Sequence, residues 1–222
     1  MSLPIPRGVS IDALRTASLA CQGCELHRAQ EGSLSGPTQT VFSKGNPAAR
    51  VVFVGEQPGD MEDRAGLPFV GPAGQLFDRA IAEAGIDPKQ AYVTNSVKHF
   101  RFMQDRPNGR RIHKTPETPH IEACKPWLRA ELAVVDPEVI VALGATAGRA
   151  LIGPQFRVTR ERGKVLMWPP AGDSGFGADP SRRRAVSFVA TSHPSAVLRA
   201  DNQETAYKEM VSDLLLVARL LA

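Results

Sequence analysis

The run Val51-Val52-Phe53-Val54-Gly55-Glu56-Gln57-Pro58-Gly59-Asp60 decides the fold class. Four apolar, mostly β-branched residues are too few for a helix and suit a buried strand, which the Gly/Pro turn then ends on polar side chains. The same construction recurs down the chain: 92–94 before Asn95, 139–143 before Gly144, and 186–190 before Thr191-Ser192-His193-Pro194-Ser195. Helical patterns fill the intervals at 71–84, 119–135 and 145–151, and a last one covers 204–221. Strands alternating with helices predict parallel pairing through right-handed crossovers, hence an α/β protein with a three-layer α/β/α sandwich around a central four-stranded parallel sheet. Ligands of such sheets bind beyond the carboxyl ends of the strands, where these polar residues fall.

Around this core, 11–28 has modest helical periodicity and reads as a side element packed on the sandwich. The stretches 32–47 and 169–181 are rich in Gly, Pro and Ser and read as surface loops. A length of 222 residues favours one domain spanning 1–222. Hydrophobic residues make up 42% and charged residues 23%, ordinary soluble usage. No run approaches the roughly 18 apolar residues of a membrane span, and the N-terminus lacks the basic and apolar regions of a signal peptide. A cytoplasmic monomer that binds no membrane is therefore expected. The net charge of +4 permits a polyanionic partner. The segment 98–114, KHFRFMQDRPNGRRIHK, is dense in Lys and Arg with a single Asp, which suits a phosphate backbone or a solvated loop equally. The run 182–184 reads as a solvated face.

Three cysteines cannot pair off, so Cys21, Cys24 and Cys124 read as ligands or free thiols. Cys21-Gln22-Gly23-Cys24 precedes the first strand, where a thioredoxin-like dithiol would follow one, and metal ligation is the better reading. A fourth ligand would be a histidine or carboxylate, with His27, His99, His113 and His120 as candidates, while Cys124 could equally be a small buried hydrophobe. Gly55 to Asp60 lacks the Gly-Lys-Ser/Thr ending of a phosphate-binding loop and is a rigid platform for polar side chains. Phe69 sits in a loop stiffened by Gly and Pro, where packing is its default role and stacking on a planar ligand the sharper one.

GEQPGD, GLPFVGPAG, YVTNSVKHF, GRRIHKTP, EACKPWL, LGATAGRAL and SHPS, in this order, resemble the uracil-DNA glycosylase superfamily. Within it they resemble the family 4 iron–sulfur enzymes, and most closely the UdgX branch, which the RRIH segment sets apart. The resemblance covers the chain from Cys21 to the final helix. It implies that Glu56, Gln57 and Asp60 line a catalytic pocket, that Phe69 stacks on a flipped uracil, that Asn95 reads the uracil edge and that His193 donates to O2. It also implies a [4Fe–4S] cluster held by Cys21, Cys24, Cys124 and His99, the last in place of the family 4 cysteine. The partner it implies is uracil-containing DNA, single strands included, met at the nucleoid.

The resemblance further implies that His113 attacks C1′ in place of water, so that the protein excises one uracil and stays covalently attached to the DNA. Related family 1 enzymes carry a water-activating aspartate where this chain has Gln57, and an amide is no general base. Glu56 would support the sugar cation, Glu56 or Asp60 would orient His113, and Arg111 would hold the loop or a flanking phosphate. The loop departs from the usual KRRIH by Gly109 in place of the lysine. A water-using glycosylase of many turnovers and a non-catalytic iron–sulfur DNA-binding module are the competing readings.

Overall fold

The computed structural model describes residues 5–6, 10–28, 38–104, 106, 109–170 and 186–222. In chain order its elements are α1 (Ile11–Ser18), β1 (Ser43–Gly45), β2 (Val51–Gly55), α2 (Asp60–Ala65), α3 (Pro72–Glu83), β3 (Ala91–Asn95), β4 (Phe102–Met103) and β5 (Ile112–His113). There follow α4 (Thr118–Val135), β6 (Val139–Leu143), α5 (Ala145–Ile152), α6 (Val158–Glu161), β7 (Val165–Trp168), β8 (Val186–Thr191), α7 (Pro194–Val197) and α8 (Gln203–Leu221).

The main sheet runs β1-β3-β2-β6-β8-β7. Its four central strands β3, β2, β6 and β8 are parallel, as expected. Every residue of β2, β3 and β6 is buried, which is why they read as unbroken apolar runs rather than alternating ones. Side chains still alternate between faces. Val52, Val54, Ile140, Ala142 and Phe188 pack with Leu14 of α1, Trp127 and Leu132 of α4 and Leu151 of α5. Val51, Phe53, Val139, Val141 and Val189 pack on the other side with Phe77 and Ile81 of α3 and Leu214 and Val217 of α8. Helices thus cover both faces.

Two antiparallel edge strands extend the expected four. β1 pairs with β3 inside the stretch 32–47, which the sequence presents as loop. Its Ser43-Lys44-Gly45 has no apolar run because an edge strand is held by its ladder rather than by two buried faces. β7 pairs with β8 on the other side. The N-terminal helix is shorter than the pattern over 11–28: α1 ends at Ser18, and only a 3-10 turn, Glu25–His27, follows. Residues 29–37 and 171–185, which take in 32–37 of the first expected loop, 171–181 of the second and the basic run 182–184, lie outside the described residues.

A buried ion pair joins α4 to the sheet. Glu131 accepts from Tyr92 Oη and Thr94 Oγ1, each at 2.8 Å, and pairs with Lys98 Nζ, which also donates to the Asn95 carbonyl at 2.9 Å. The exposures of Lys98 and Glu131 are 1% and 0%, so this lysine of the basic stretch is unavailable to any phosphate.

Candidate active site

The carboxyl ends of the parallel strands open into a cavity of about 450 Å³. Gly55 at the end of β2 delivers Glu56 and Gln57, and β3 ends on Asn95. The turn after β8 supplies His193 and the start of α7 Ser195, α2 adds Glu62, the loop after it Phe69 and the first turn of α3 Ala73, and β5 brings His113. Of the residues expected to act, Glu56, Gln57, Phe69, Asn95, His113 and His193 therefore stand around one space.

Asn95 and Phe69 approach each other across Gly55. A Cβ at Gly55 would lie 2.4 Å from Asn95 Oδ1 and 2.8 Å from Phe69 Cζ, so only glycine lets them close. Asn95 Oδ1 is buried without a hydrogen-bond partner, the one such side-chain atom among the described residues. A buried acceptor left unpaired costs about 1–3 kcal/mol, a cost that a ligand donor would relieve. Phe69 has a left-handed φ of 55°, unusual for an aromatic residue. Lys44 Nζ holds it by donating to its carbonyl at 3.0 Å, and Glu62 accepts from the N–H groups of Val70 and Gly71 at 3.1 and 2.8 Å. Its ring centre lies 6.0 Å from that of His193.

His193 precedes α7, where its Nδ1 accepts from the Ser195 N–H at 3.1 Å and contacts Ser195 Oγ at 2.8 Å. The ring therefore carries its proton on Nε2. Burial pushes its pKa down to about 4, the Glu56 charge opposing, so it is a neutral N–H donor at neutral pH. Opposite it, His113 Nε2 lies 3.2 Å from Glu56 Oε1, and Thr146 at the start of α5 bonds Glu56 Oε2. Burial raises the Glu56 pKa, but the hydrogen bonds from His113 and Thr146 and the charges of the two histidines outweigh it, leaving the carboxyl below its usual range.

The β4–β5 hairpin that carries His113 is fastened by side chains. Gln57 Nε2 donates to the carbonyls of Arg101 and Lys114 at 3.1 and 3.0 Å, and its Oε1 accepts from the Arg101 N–H at 3.0 Å. Arg111 bonds Asp63 Oδ2 at 2.6 Å and Asp60 Oδ1, and its guanidinium carbon lies 5.0 Å over the Phe102 ring. Two expectations change accordingly. Asp60 lies not in the cavity wall but in a neighbouring depression of about 710 Å³, paired with Arg111 and Arg64. Arg111 is buried by its carboxylate partners, so of its two expected roles the geometry matches the loop anchor. Burial raises the Asp60 pKa, but Arg64 and Arg111 together hold it below the usual range. In the basic segment, Lys98 and Arg101 are likewise paired, with Glu131 and Glu117, whereas Arg106 and Arg110 line the second depression.

The cysteines gather where α1's C-terminal extension meets α4. Cys21 Sγ accepts from Trp127 Nε1 at 3.2 Å, and Cys24 packs against the cluster of Leu26, Val97, Ile121, Cys124 and Ala150. Burial pushes the Cys124 thiol up to about 12, partly offset by the Lys98 backbone N–H, and the nearby sulfurs of Cys24 and Cys21 push it the same way as burial. His99 is buried and pushed down to about 4 by desolvation, hence a neutral imidazole. His120 drops out as a ligand candidate: its Nδ1 accepts from the Glu117 N–H at 2.9 Å and its Nε2 meets Glu25 Oε1 at 2.6 Å. His113 belongs to the cavity. Among the described residues, no group of three or more His, Cys, Asp or Glu is drawn together tightly enough to hold a metal ion, so the three thiols lie near one another without forming a closed coordination sphere with His99.

Glu62, Thr146, Ser195 and Arg199 had no role assigned by the motifs, although Thr146 and Ser195 lie within two of them. Glu62 was accessible from its spacing, since a Glu three residues after Gly59 is a capping signature, and its Oε2 does accept from the Gly59 N–H at 3.1 Å. Thr146 and Arg199 had no local signal.

The profile of the uracil DNA glycosylase superfamily matches residues 42–215, from β1 to α8. A type-4 uracil-DNA glycosylase of Thermotoga maritima is 35% identical over 185 residues, covering 83% of this chain and 81% of that one. One from Sulfurisphaera tokodaii is 30% identical over 205 residues, covering 90% and 81%. A DNA polymerase of Bacillus phage SP01 is 27% identical over 179 residues, 80% of this chain but only 16% of that protein. With a parallel sheet whose strand ends enclose Glu56, Asn95 and His193, and relatives aligned along four-fifths of its length, this chain belongs to the uracil DNA glycosylase superfamily.

Proposed function

We propose that this protein excises uracil from DNA and is captured on the resulting sugar through His113, as in the UdgX branch. The observation that carries uracil recognition is the unpartnered, buried Asn95 Oδ1 beside Phe69. A flipped uracil stacked on Phe69 offers N3–H to that oxygen and O4 to the same amide's N–H, whereas cytosine reverses both polarities. Neutral His193, protonated on Nε2, is suited to donate to O2 as charge develops on the leaving base.

In this reading the glycosidic bond breaks with its electron pair leaving on uracil, and Glu56 faces the positive sugar. A lone pair of the His113 ring then forms the bond to C1′, and the ring's remaining proton passes to Glu56 Oε1, 3.2 Å from His113 Nε2 in the free protein. Gln57 supports the choice of nucleophile: it is an amide with its donor and acceptor occupied by the hairpin, and so offers no base for water.

The similarity to type-4 uracil-DNA glycosylases favours a second reading, hydrolysis with Glu56 serving water. An end-labelled single-stranded oligonucleotide carrying one uracil, boiled in SDS and run on a denaturing gel against a thymine control, separates the two. A slow band specific to uracil and absent in His113→Ala supports capture. Abasic DNA without that band means water is the nucleophile, and equal, steeply salt-dependent binding of both strands without base release means a non-catalytic module.

We assign Cys21, Cys24, His99 and Cys124 to a [4Fe–4S] cluster. The donor set fits: soft thiolates, N–H donors on the sulfurs of Cys21 and Cys124, a neutral imidazole and an apolar surround. Such a cluster would tie the N-terminal segment to α4 and take no step in base release. Brown protein absorbing in the visible blue after anaerobic purification supports it, and colourless protein with stoichiometric zinc overturns it.

A further inference from the structure

We propose that Thr146, itself held by Arg149, is the positioning residue that presents the Glu56 carboxylate to His113 through a single oxygen, Oε1. Thr146 lies in the first turn of α5 and is buried. That turn has no slack. Gly144, with φ at 93°, packs so closely on His193 that a Cβ there would lie 2.9 Å from the His193 Cβ.

The hydroxyl of Thr146 has one proton and two partners. Arg149 Nη2 donates to its oxygen at 3.3 Å, and an arginine cannot accept. The proton therefore has one destination, Glu56 Oε2, with which Thr146 makes its short contact. With Oε2 capped by a donor, Oε1 is the oxygen left to receive a proton, and it is the one 3.2 Å from His113 Nε2. The other charged or titratable groups around Glu56 are His193, ahead of α7, and Glu62 and Arg199, which line the same cavity. None of these is bonded to Oε2, so the selection between the two oxygens falls to Thr146. Its hydrogen bond also holds the half-buried carboxyl ionised against desolvation.

The inference rests on the roles of Glu56 and His113 given above, and the experiment separates the two failures. Single-turnover uracil release is measured from about pH 3 to pH 8, where its acid limb reports protonation of the essential carboxylate, while adduct formation, which also draws on the His113 lone pair, is read at neutral pH. Glu56→Gln removes the limb. Thr146→Val moves it up by about one pH unit, Thr146→Ser restores it, and Arg149→Met moves it the same way by less. A Thr146→Val limb that stays in place, whatever the rate, overturns the inference, as does a Thr146→Ser protein that behaves like valine or a limb that survives Glu56→Gln. If Thr146→Val does not fold, Arg149→Met, which leaves the buried hydroxyl in place, decides by the same shift or its absence. Wild-type protein that releases uracil without an adduct overturns the His113 reading alone, because the limb and its shifts are still read on release.

Discussion

The wall of strand ends and the hairpin bearing His113 face each other across one cavity and are held by different forces. Asn95 and Glu56 continue strands whose ladders are complete and whose side chains are buried on both faces. Behind Asn95, the Lys98–Glu131 pair is closed to water and tied to Tyr92, Thr94 and the Asn95 carbonyl. The hairpin has two residues per strand, with His113 and Ile112 exposed on β5. It depends on Gln57 from one side and on Asp60 and Asp63, through Arg111, from the other. Asn95, the proposed base reader, is thus built into the core, whereas His113, the proposed nucleophile, is held by a few side-chain bonds that local changes can release without unfolding the sheet.

The largest expected effect breaks the hairpin side at its reactive group: His113→Ala lowers SDS-stable adduct by about three orders of magnitude while unfolding curves stay superimposable. Next comes the wall. Lys98→Met leaves Glu131 buried and unpaired, and is expected to cost about 3–5 kcal/mol in urea unfolding, with much of that recovered in Lys98→Met/Glu131→Leu. If the single variant unfolds like wild type, the pair does not hold the wall. Asp63→Asn sharpens the contrast, because it removes one partner of Arg111 and lets the hairpin shift. Adduct formation should fall by about tenfold to a hundredfold, with uracil inhibition of base release, read through Asn95, nearly unchanged.

The smallest effect is one of pH. His193 has its folded pKa lowered to about 4 from 6.5, so between these values the unfolded chain binds a proton that the folded chain refuses. Stability from this group is therefore full above about pH 6.5 and declines as pH falls, by about 1 kcal/mol between pH 7 and 5.5. Replacing His193 with Gln should flatten that part of the stability curve by this amount, and an unchanged slope would mean that the imidazole titrates normally.

The four parallel strands were legible because each is a continuous apolar run closed by a turn, a pattern that arises when both faces of a sheet are covered. Edge strand β1 was not, since Ser43-Lys44-Gly45 pairs through its backbone alone. Asn95 and His193 could be found by counting just past the strands, but Thr146 is an ordinary second residue of a helix until the fold brings Glu56 to it from 90 residues away. The basic stretch stayed ambiguous for the same reason. Charge density along a chain shows the cations of 98–114 but not Glu131, Glu117, Asp60 and Asp63, which pair with Lys98, Arg101 and Arg111 and leave Arg106 and Arg110 on the neighbouring depression.

By itself the sequence determined the α/β alternation, the strand ends where chemistry would collect and the residue types available there, because these depend on local periodicity and turn chemistry. Only the tertiary structure decided that Asp60 anchors a hairpin while Glu56 faces His113, that Lys98 is sealed in the core and that Asn95 Oδ1 is left without a partner. Burial and pairing belong to neighbours that are distant in the chain, and they set the charge and hydrogen-bonding capacity that each side chain retains.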